Sequence, residues 1–223
     1  IKGANGILSV AEDYVAGGAK MIASSRMEQL KRCREGNIGV PLLMIRVPML
    51  SELDELVQVA DCSLNSELVT LRALDKAAEA HDVVHNVVLM ADLGDLREGY
   101  FTYDELVETA ETVERELPHL HLAGIGTNLG CYGSVMATED KMQELADLAI
   151  RVEKSIGREL EIVSGGATSS LMGVFGGYMP EKINMLRIGA AALAGPLEDM
   201  KICYGYSEMD ALRDDAFTLE AQV

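Results

Sequence analysis

Short apolar runs rich in β-formers alternate along this chain with longer stretches of helical period, and that alternation limits the possible folds more than any other feature of the sequence. Eight runs read as strands, at residues 1–2, 20–23, 41–46, 61–64, 86–93, 121–128, 160–164 and 185–188. Amphipathic stretches at 10–15, 27–34, 51–60, 66–81, 103–117 and 138–156, with apolar residues three or four apart, fill the intervals. A βαβα order predicts a mainly parallel sheet. Runs such as Val87-Val88-Leu89-Met90 are apolar on consecutive residues, the pattern of strands buried on both faces. Eight such units predict an α/β fold of the (β/α)8 TIM-barrel type, with an open doubly wound sheet as the alternative. Ser51 and Ser66 stand where helices would be capped, and Gly17-Gly18, Gly36 and Gly157 where they would stop.

At 223 residues and 48% hydrophobic composition the chain is long enough to bury one large core. Its 36 acidic against 19 basic residues give a net charge of −17, which would repel nucleic acid and anionic membrane surfaces. No apolar run approaches the ~18 residues of a membrane span. Cys33, Cys62, Cys131 and Cys203 share no C-x-x-C spacing, which argues against a disulfide framework or a zinc site and fits a reducing cytoplasm. His81 and His85, and His119 and His121, have tolerable metal spacings, but no cysteine or carboxylate completes either set, so no metal is expected. The stretch 124–130 (GIGTNLG) lacks the spacing of a dinucleotide fingerprint.

Both ends are unusual for a barrel. Ile1-Lys2-Gly3 reads as the end of a strand with nothing before it, and 216–223 alternates with period two, a ninth strand that eight-fold closure has no place for. The expected organisation is a barrel over 1–213 that lacks its extreme N-terminus, followed at 214–223 by the first strand of a C-terminal β domain.

Function in such barrels collects at the C-terminal ends of the strands. The expected ends carry Lys2, Ser24-Ser25-Arg26, Arg46, Asn65, Asp92, Asn128, Ser164-Gly165-Gly166 and Arg187. Residues 164–170 (SGGATSS) combine small residues, which let backbone approach a ligand, with hydroxyls that donate to phosphate oxygens. Arg187-Ile188-Gly189 closes the eighth run, and loops after strands seven and eight are the habitual phosphate site of these barrels. Lys2 would point into the mouth, where burial lowers an amine's pKa and suits it to Schiff-base chemistry. A phosphate cup facing such a lysine is the layout that pyridoxal phosphate requires.

Several segments resemble the fold-type III pyridoxal-phosphate enzymes of the alanine racemase family, and within it the ornithine and lysine racemase branch. They are 2–6 (KGANG), 21–32 (MIASSRMEQLKR), 43–57 (LMIRVPMLSELDELV), 91–99 (ADLGDLREG), 124–133 (GIGTNLGCYG), 164–171 (SGGATSSL), 186–195 (LRIGAAALAG) and 215–223 (DAFTLEAQV). The resemblance implies that Lys2 holds the cofactor covalently and acts as acid/base on one face. It implies that Thr168, Ser169 and the backbone of Ile188 and Gly189, with Ser164 in the same loop, hold the phosphate. Arg187 would face the pyridine nitrogen, Asn128 would stand against the ring where alanine racemases have a histidine, and Arg97 would help fix the substrate carboxylate. Gly6 replaces a tyrosine of the alanine racemases and Met90 a modified lysine, departures that point away from an alanine-sized substrate. The implied activity is racemisation of an amino acid, ornithine or lysine favoured and alanine possible, by removal and return of the α-proton. A homodimer is implied, with the second acid/base from the partner's C-terminal β domain; Cys131 or Tyr132 would be a substitute. The alternative is a non-catalytic, single-barrel protein of pyridoxal-phosphate homeostasis. A cationic substrate side chain would need a carboxylate, and Asp92, Asp95 and Glu98 lie near the right strand end.

Overall fold

A computed structural model of the chain describes residues 7–131 and 135–193. Six strands, β1 (Ile22–Ser24), β2 (Leu42–Met44), β3 (Cys62–Asn65), β4 (His85–Met90), β5 (Leu120–Gly126) and β6 (Ile162–Ser164), form one parallel sheet whose spatial order is the order of the sequence. A doubly wound sheet reverses its strand order at a switch point. This sheet has no reversal among the described strands, and its curl is that of a partial α/β barrel, so the barrel expectation holds and the alternative does not. Helices α1 (Ile7–Ala16), α2 (Met27–Glu35), α3 (Leu53–Val59), α4 (Leu68–Ala80), α5 (Tyr103–Glu116) and α6 (Glu139–Ile156) fall on the six expected stretches, and a short α7 (Leu171–Phe175) follows residues 164–170.

The consecutive apolar residues of the strands divide between two layers, as burial on both faces requires. Leu43, Cys62, Leu64, Val88 and Met90 pack with Ala23, Ile45, Ile162 and Met185 on the concave side. Leu42, Met44, Val87, Leu89, Leu122 and Val163 point the other way, against Leu30 of α2, Leu56 of α3, Leu71 and Leu74 of α4, Leu106 of α5, and Leu145 and Val152 of α6. Each such fully buried aliphatic side chain contributes roughly 1.5–3 kcal/mol, so this layer supplies most of the stabilisation.

Two expectations are corrected. Residues 185–188 form no regular eighth strand: Met185 makes a single bridge to Ser164. Its neighbours pair with a glycine loop instead of a strand, Gly165 N donating to Met185 O (3.0 Å) and Arg187 N to Gly166 O (2.8 Å). Nor do Ser51 and Ser66 cap helices. Ser51 sits inside a 3-10 turn, Leu50–Glu52, where the Glu52 carboxylate accepts from Met49 N (2.9 Å) and from the Arg46 guanidinium (2.7 Å to Nη2). Glu67 holds the cap position of α4 without a side-chain bond. Thr138 is the hydroxyl that caps, accepting from Lys141 N at the start of α6, and Gly157 ends that helix in the left-handed region at φ +80°.

The barrel begins to close on itself: the Tyr14 hydroxyl of α1 donates to Ala192 O, 178 residues away (3.5 Å). The expected strand at 1–2, with Lys2, and the expected strand at 214–223 lie outside the described residues.

Candidate functional site

Four of the polar strand ends serve the fold. Ser24 Oγ donates to Gln29 Oε1 and accepts from Arg26 N (3.0 Å), tying β1 to the first turn of α2. Arg46 is held by Glu52 and by Ser25 O (2.8 Å to Nε). Asn65 Nδ2 donates to Ser63 O (3.0 Å), and Asp92 Oδ1 accepts from Gly94 N (2.8 Å) and Leu96 N (3.1 Å).

Of the others, Lys2 lies outside the described residues, and Asn128, Ser164-Gly165-Gly166 and Arg187 gather beyond the ends of β5 and β6, next to the loop after β4. A cavity of about 1230 Å³ is lined there by Arg97, Asn128, Thr168, Ser169, Arg187 and Gly189, with Ile188 and Glu98 also on its wall. Arg187 is fixed from behind. Its guanidinium donates to Ser164 Oγ and to Thr127 O (2.8 Å), and its backbone N to Gly166 O. Ser164 is buried and its Oγ accepts from Arg187, so it helps to orient that guanidinium. Loss of hydration pushes the Arg187 guanidinium down to about 10, with Glu98 favouring the cation and Arg97 opposing it. At neutral pH it stays charged.

Thr168 lies at the start of the 3-10 turn Thr168–Ser170, and its Oγ1 accepts from Gly189 N and Ala191 N, each at 3.3 Å. A hydroxyl and two backbone N–H groups therefore converge from the loops after β6 and after Arg187, and a Cβ on Gly189 would meet open space. In this structure both N–H groups are taken up by Thr168 through long bonds, and they and the Thr168 hydroxyl are the donors that an anion bound here would take instead. Asn128 Nδ2 is buried without a protein partner, as is Ser170 Oγ. A buried donor left unpaired needs a reason, and at a cavity wall a polar ligand supplies one. Ser169 Oγ donates to Leu129 O (2.6 Å), so its proton is spent on the backbone. Ile188 and Gly189 are exposed to the cavity side. These features fit a ligand that brings an anionic group and a hydrogen-bond acceptor.

Sequence reasoning missed Thr127. It contributes its carbonyl to Arg187, while its hydroxyl donates to Ala91 O (2.9 Å), and a backbone acceptor leaves no mark in a sequence. It also left Glu98 undistinguished from Asp92 and Asp95. Asp95 is 1% exposed and accepts from Cys131 N and Val135 N, both at 3.3 Å. Of the three, Glu98 alone lines the cavity. Burial pushes its carboxyl above the usual range, against the pull of Arg97 and Arg187.

The histidines go elsewhere. His85 is buried at the opposite end of β4, hydrogen-bonded to Ser63 (3.0 Å), and burial lowers it to about 4. His121 meets Glu161 (3.0 Å). Among the described residues no group of three or more His, Cys, Asp or Glu is placed to hold a metal ion. Cys33 and Cys62 are buried free thiols and Cys131 an exposed one. No helix among the described residues is long and apolar enough to cross a membrane.

Residues 2–195 match the alanine racemase N-terminal domain family. Among curated proteins, the chain is 39% identical over 215 residues to an ornithine racemase of Acetoanaerobium sticklandii and 33% identical over 214 residues to a lysine racemase of Thermotoga maritima. Each alignment covers 96% of this chain and 57% of the relative, so the chain spans little more than half the length of either. Among solved structures, alanine racemase from Streptomyces lavendulae superposes with a TM-score of 0.70 at 19% identity, over 90% of this chain and 53% of that one. A D-threonine aldolase from Filomicrobium marinum gives 0.69 at 20%, over 83% and 52%. At these identities the two structures speak for the fold alone.

Proposed function

The chain belongs to the alanine racemase N-terminal domain family, and from that premise we propose that it is the cofactor barrel of a pyridoxal-phosphate-dependent amino-acid racemase acting on ornithine or lysine. The observation that carries the proposal is the meeting of Thr168 with the Gly189 and Ala191 N–H groups, through bonds of 3.3 Å that an anion would replace, beside the unpartnered Asn128 amide. The racemase names of both curated relatives favour this over a non-catalytic homeostasis protein.

When bound, pyridoxal phosphate supplies the electron sink that acidifies the α-hydrogen of an attached amino acid. The chain's residues would do the rest. Thr168 and the N–H groups of Gly189 and Ala191 bind the phosphate, and the Asn128 amide donates toward the ring. Arg187, held by Ser164 and Thr127, presents a proton it keeps at neutral pH to the ring nitrogen. A guanidinium at that position would leave the ring nitrogen without a proton of its own, which would suit simple removal and return of the α-proton. Arg97 takes the substrate carboxylate. Lys2, as the attachment point, carries the proton on one face of Cα. On the opposite face the proton comes from a C-terminal β domain of a partner subunit, in a homodimer, as the resemblance implies. The free thiols of Cys33 and Cys62 suit a reducing cytoplasm.

Chiral chromatography of the full-length protein, supplied with cofactor and challenged in turn with L-ornithine, lysine, arginine, alanine and serine, tests the proposal. The D form should accumulate fastest from ornithine or lysine. Conversion of none of the five would overturn it.

A further inference from the structure

The loop after β5 touches two parts of the cavity wall. At its start it meets the turn that carries Thr168: Ser169 Oγ donates to Leu129 O (2.6 Å), and a Cβ on Gly130 would lie 2.7 Å from the Ser169 Cβ. Further along it is tied to the turn between β4 and α5. Asp95 Oδ1 accepts from Cys131 N and from Val135 N, each at 3.3 Å, and the Arg97 guanidinium donates through Nη1 to Cys131 Sγ. Cys131 therefore meets that turn twice, through its backbone at Asp95 and through its side chain at Arg97.

The turn is a firm support for these contacts. Tyr100 N donates to Met90 O (2.7 Å) and Asp92 N to Tyr100 O (3.0 Å), so the chain returns to the end of β4. Inside the turn Asp92 Oδ1 accepts from Gly94 N and Leu96 N, and Leu96 is held in the left-handed region at φ +56°, a strain that persists only where the surroundings over-determine it. Asp95 does something different from Asp92. At 1% exposure its carboxylate has lost its water and needs other donors, and it takes two of them from the neighbouring loop.

The consequence falls on Arg97. Its side chain is exposed, and a long exposed side chain has many rotamers to choose from. The contact with Cys131 selects those that lie along the cavity wall, which both residues line. That contact uses one nitrogen. Among the described residues no hydrogen bond takes Arg97 Nε or Nη2, the edge of the planar fork that matches a carboxylate with two parallel bonds.

We propose that Asp95 is a positioning residue: by binding the backbone of the loop after β5 it places Cys131 Sγ where Arg97 rests, and so fixes the guanidinium edge that receives the substrate carboxylate. The proposal rests on the reading above that Arg97 takes that carboxylate. Every amino acid has one, so the effect of Asp95 does not depend on the substrate side chain.

The test follows Asp95→Ala, Asp95→Asn and Cys131→Ala in the full-length protein. It reads amide hydrogen exchange at Cys131 and Val135, the Kd of the cofactor-loaded protein for propionate by calorimetry, and the KM and kcat for ornithine. Propionate has a carboxylate but no amine and no cationic side chain. Asp95→Ala should speed exchange at both amides by at least about tenfold. It should also raise the propionate Kd and the KM by about tenfold, with kcat within about threefold, because a charge-assisted contact is weakened in binding. Asp95→Asn, which keeps Oδ1 as an acceptor, should recover most of all three. Cys131→Ala removes only an exposed side chain, so it decides the matter even if Asp95→Ala does not fold: exchange at Val135 should stay as in the wild type while the propionate Kd rises by about threefold. A wild-type Kd in Asp95→Ala despite faster exchange would make Asp95 a loop anchor with no hold on Arg97, and overturns the proposal. So do unchanged exchange, a fall in kcat with KM held, an asparagine variant as weak as the alanine one, or an unchanged Kd in Cys131→Ala. A wild type that binds propionate but converts no amino acid sinks the racemase reading while leaving the Asp95 comparison intact.

Discussion

Gly124→Ala should destabilise the protein by about 3 kcal/mol, the upper end of the usual cost of overpacking a close-packed interior. Gly124 lies in the middle of β5, and a Cβ there would stand 1.8 Å from Ile162 O and 2.6 Å from Ile162 C, backbone atoms of the paired strand β6. A flexible side chain could rotate away; a hydrogen-bonded backbone moves only by parting the two strands. Parting β5 from β6 would also carry off the Thr127 carbonyl and Ser164, the two groups that hold Arg187. Urea denaturation of the full-length protein measures the loss, and cofactor titration of the surviving folded fraction should show weakened binding as well. A loss below about 1 kcal/mol would mean that β5 and β6 approach less closely than described.

Arg187→Ala should weaken cofactor binding by at least about tenfold and cost about 1.5–3 kcal/mol of stability, the range for hydrogen bonds to a charged group. The guanidinium satisfies Ser164 Oγ and Thr127 O at once, from opposite arms of one planar fork. Removing it leaves the buried Ser164 hydroxyl without its donor and takes the cation from the cavity floor. Arg187→Lys separates charge from geometry. An ammonium keeps the charge but is a single point on a flexible stem, unable to reproduce the fork, so the lysine variant should recover only part of the loss. Full recovery by lysine would reduce the role of Arg187 to charge alone. Spectrophotometric titration with pyridoxal phosphate and thermal unfolding together separate the two contributions.

The strands and helices were legible because burial on both faces writes continuous apolar runs, and amphipathic helices write a period near 3.6. What was lost has identifiable causes. The run at 185–188 looks like a strand, but its partner is Gly165-Gly166, whose lack of side chains lets the chain bend away from a regular ladder. Ser51 and Ser66 look like caps, yet Glu52 is drawn into the turn by Arg46, a partner six residues earlier that no local pattern reveals. At the site, Thr168, Gly189, Asn128 and Arg187 stand out in the sequence because glycine loops and polar strand ends are rare in an apolar barrel, and the structure brings them to one cavity. The division of labour among them was not. Whether Ser169 donates to a ligand or to Leu129 O, and whether Ser164 faces the cavity or Arg187, depends on distances of a few tenths of an ångström. Gly124 is a further case: it sits in a glycine motif, but its reason is the nearness of β6, which involves residues nearly forty positions away.

The central claim, that this barrel binds pyridoxal phosphate to labilise the α-hydrogen of an amino acid, is tested most directly by proton NMR of L-ornithine incubated in deuterium oxide with the full-length protein and cofactor. The α-proton signal should disappear with the wild type and persist with Lys2→Ala, whose Schiff-base absorbance should be absent as well. Retention of the signal by the wild type with ornithine, lysine and alanine alike, under conditions where the cofactor is seen to bind, would contradict the account.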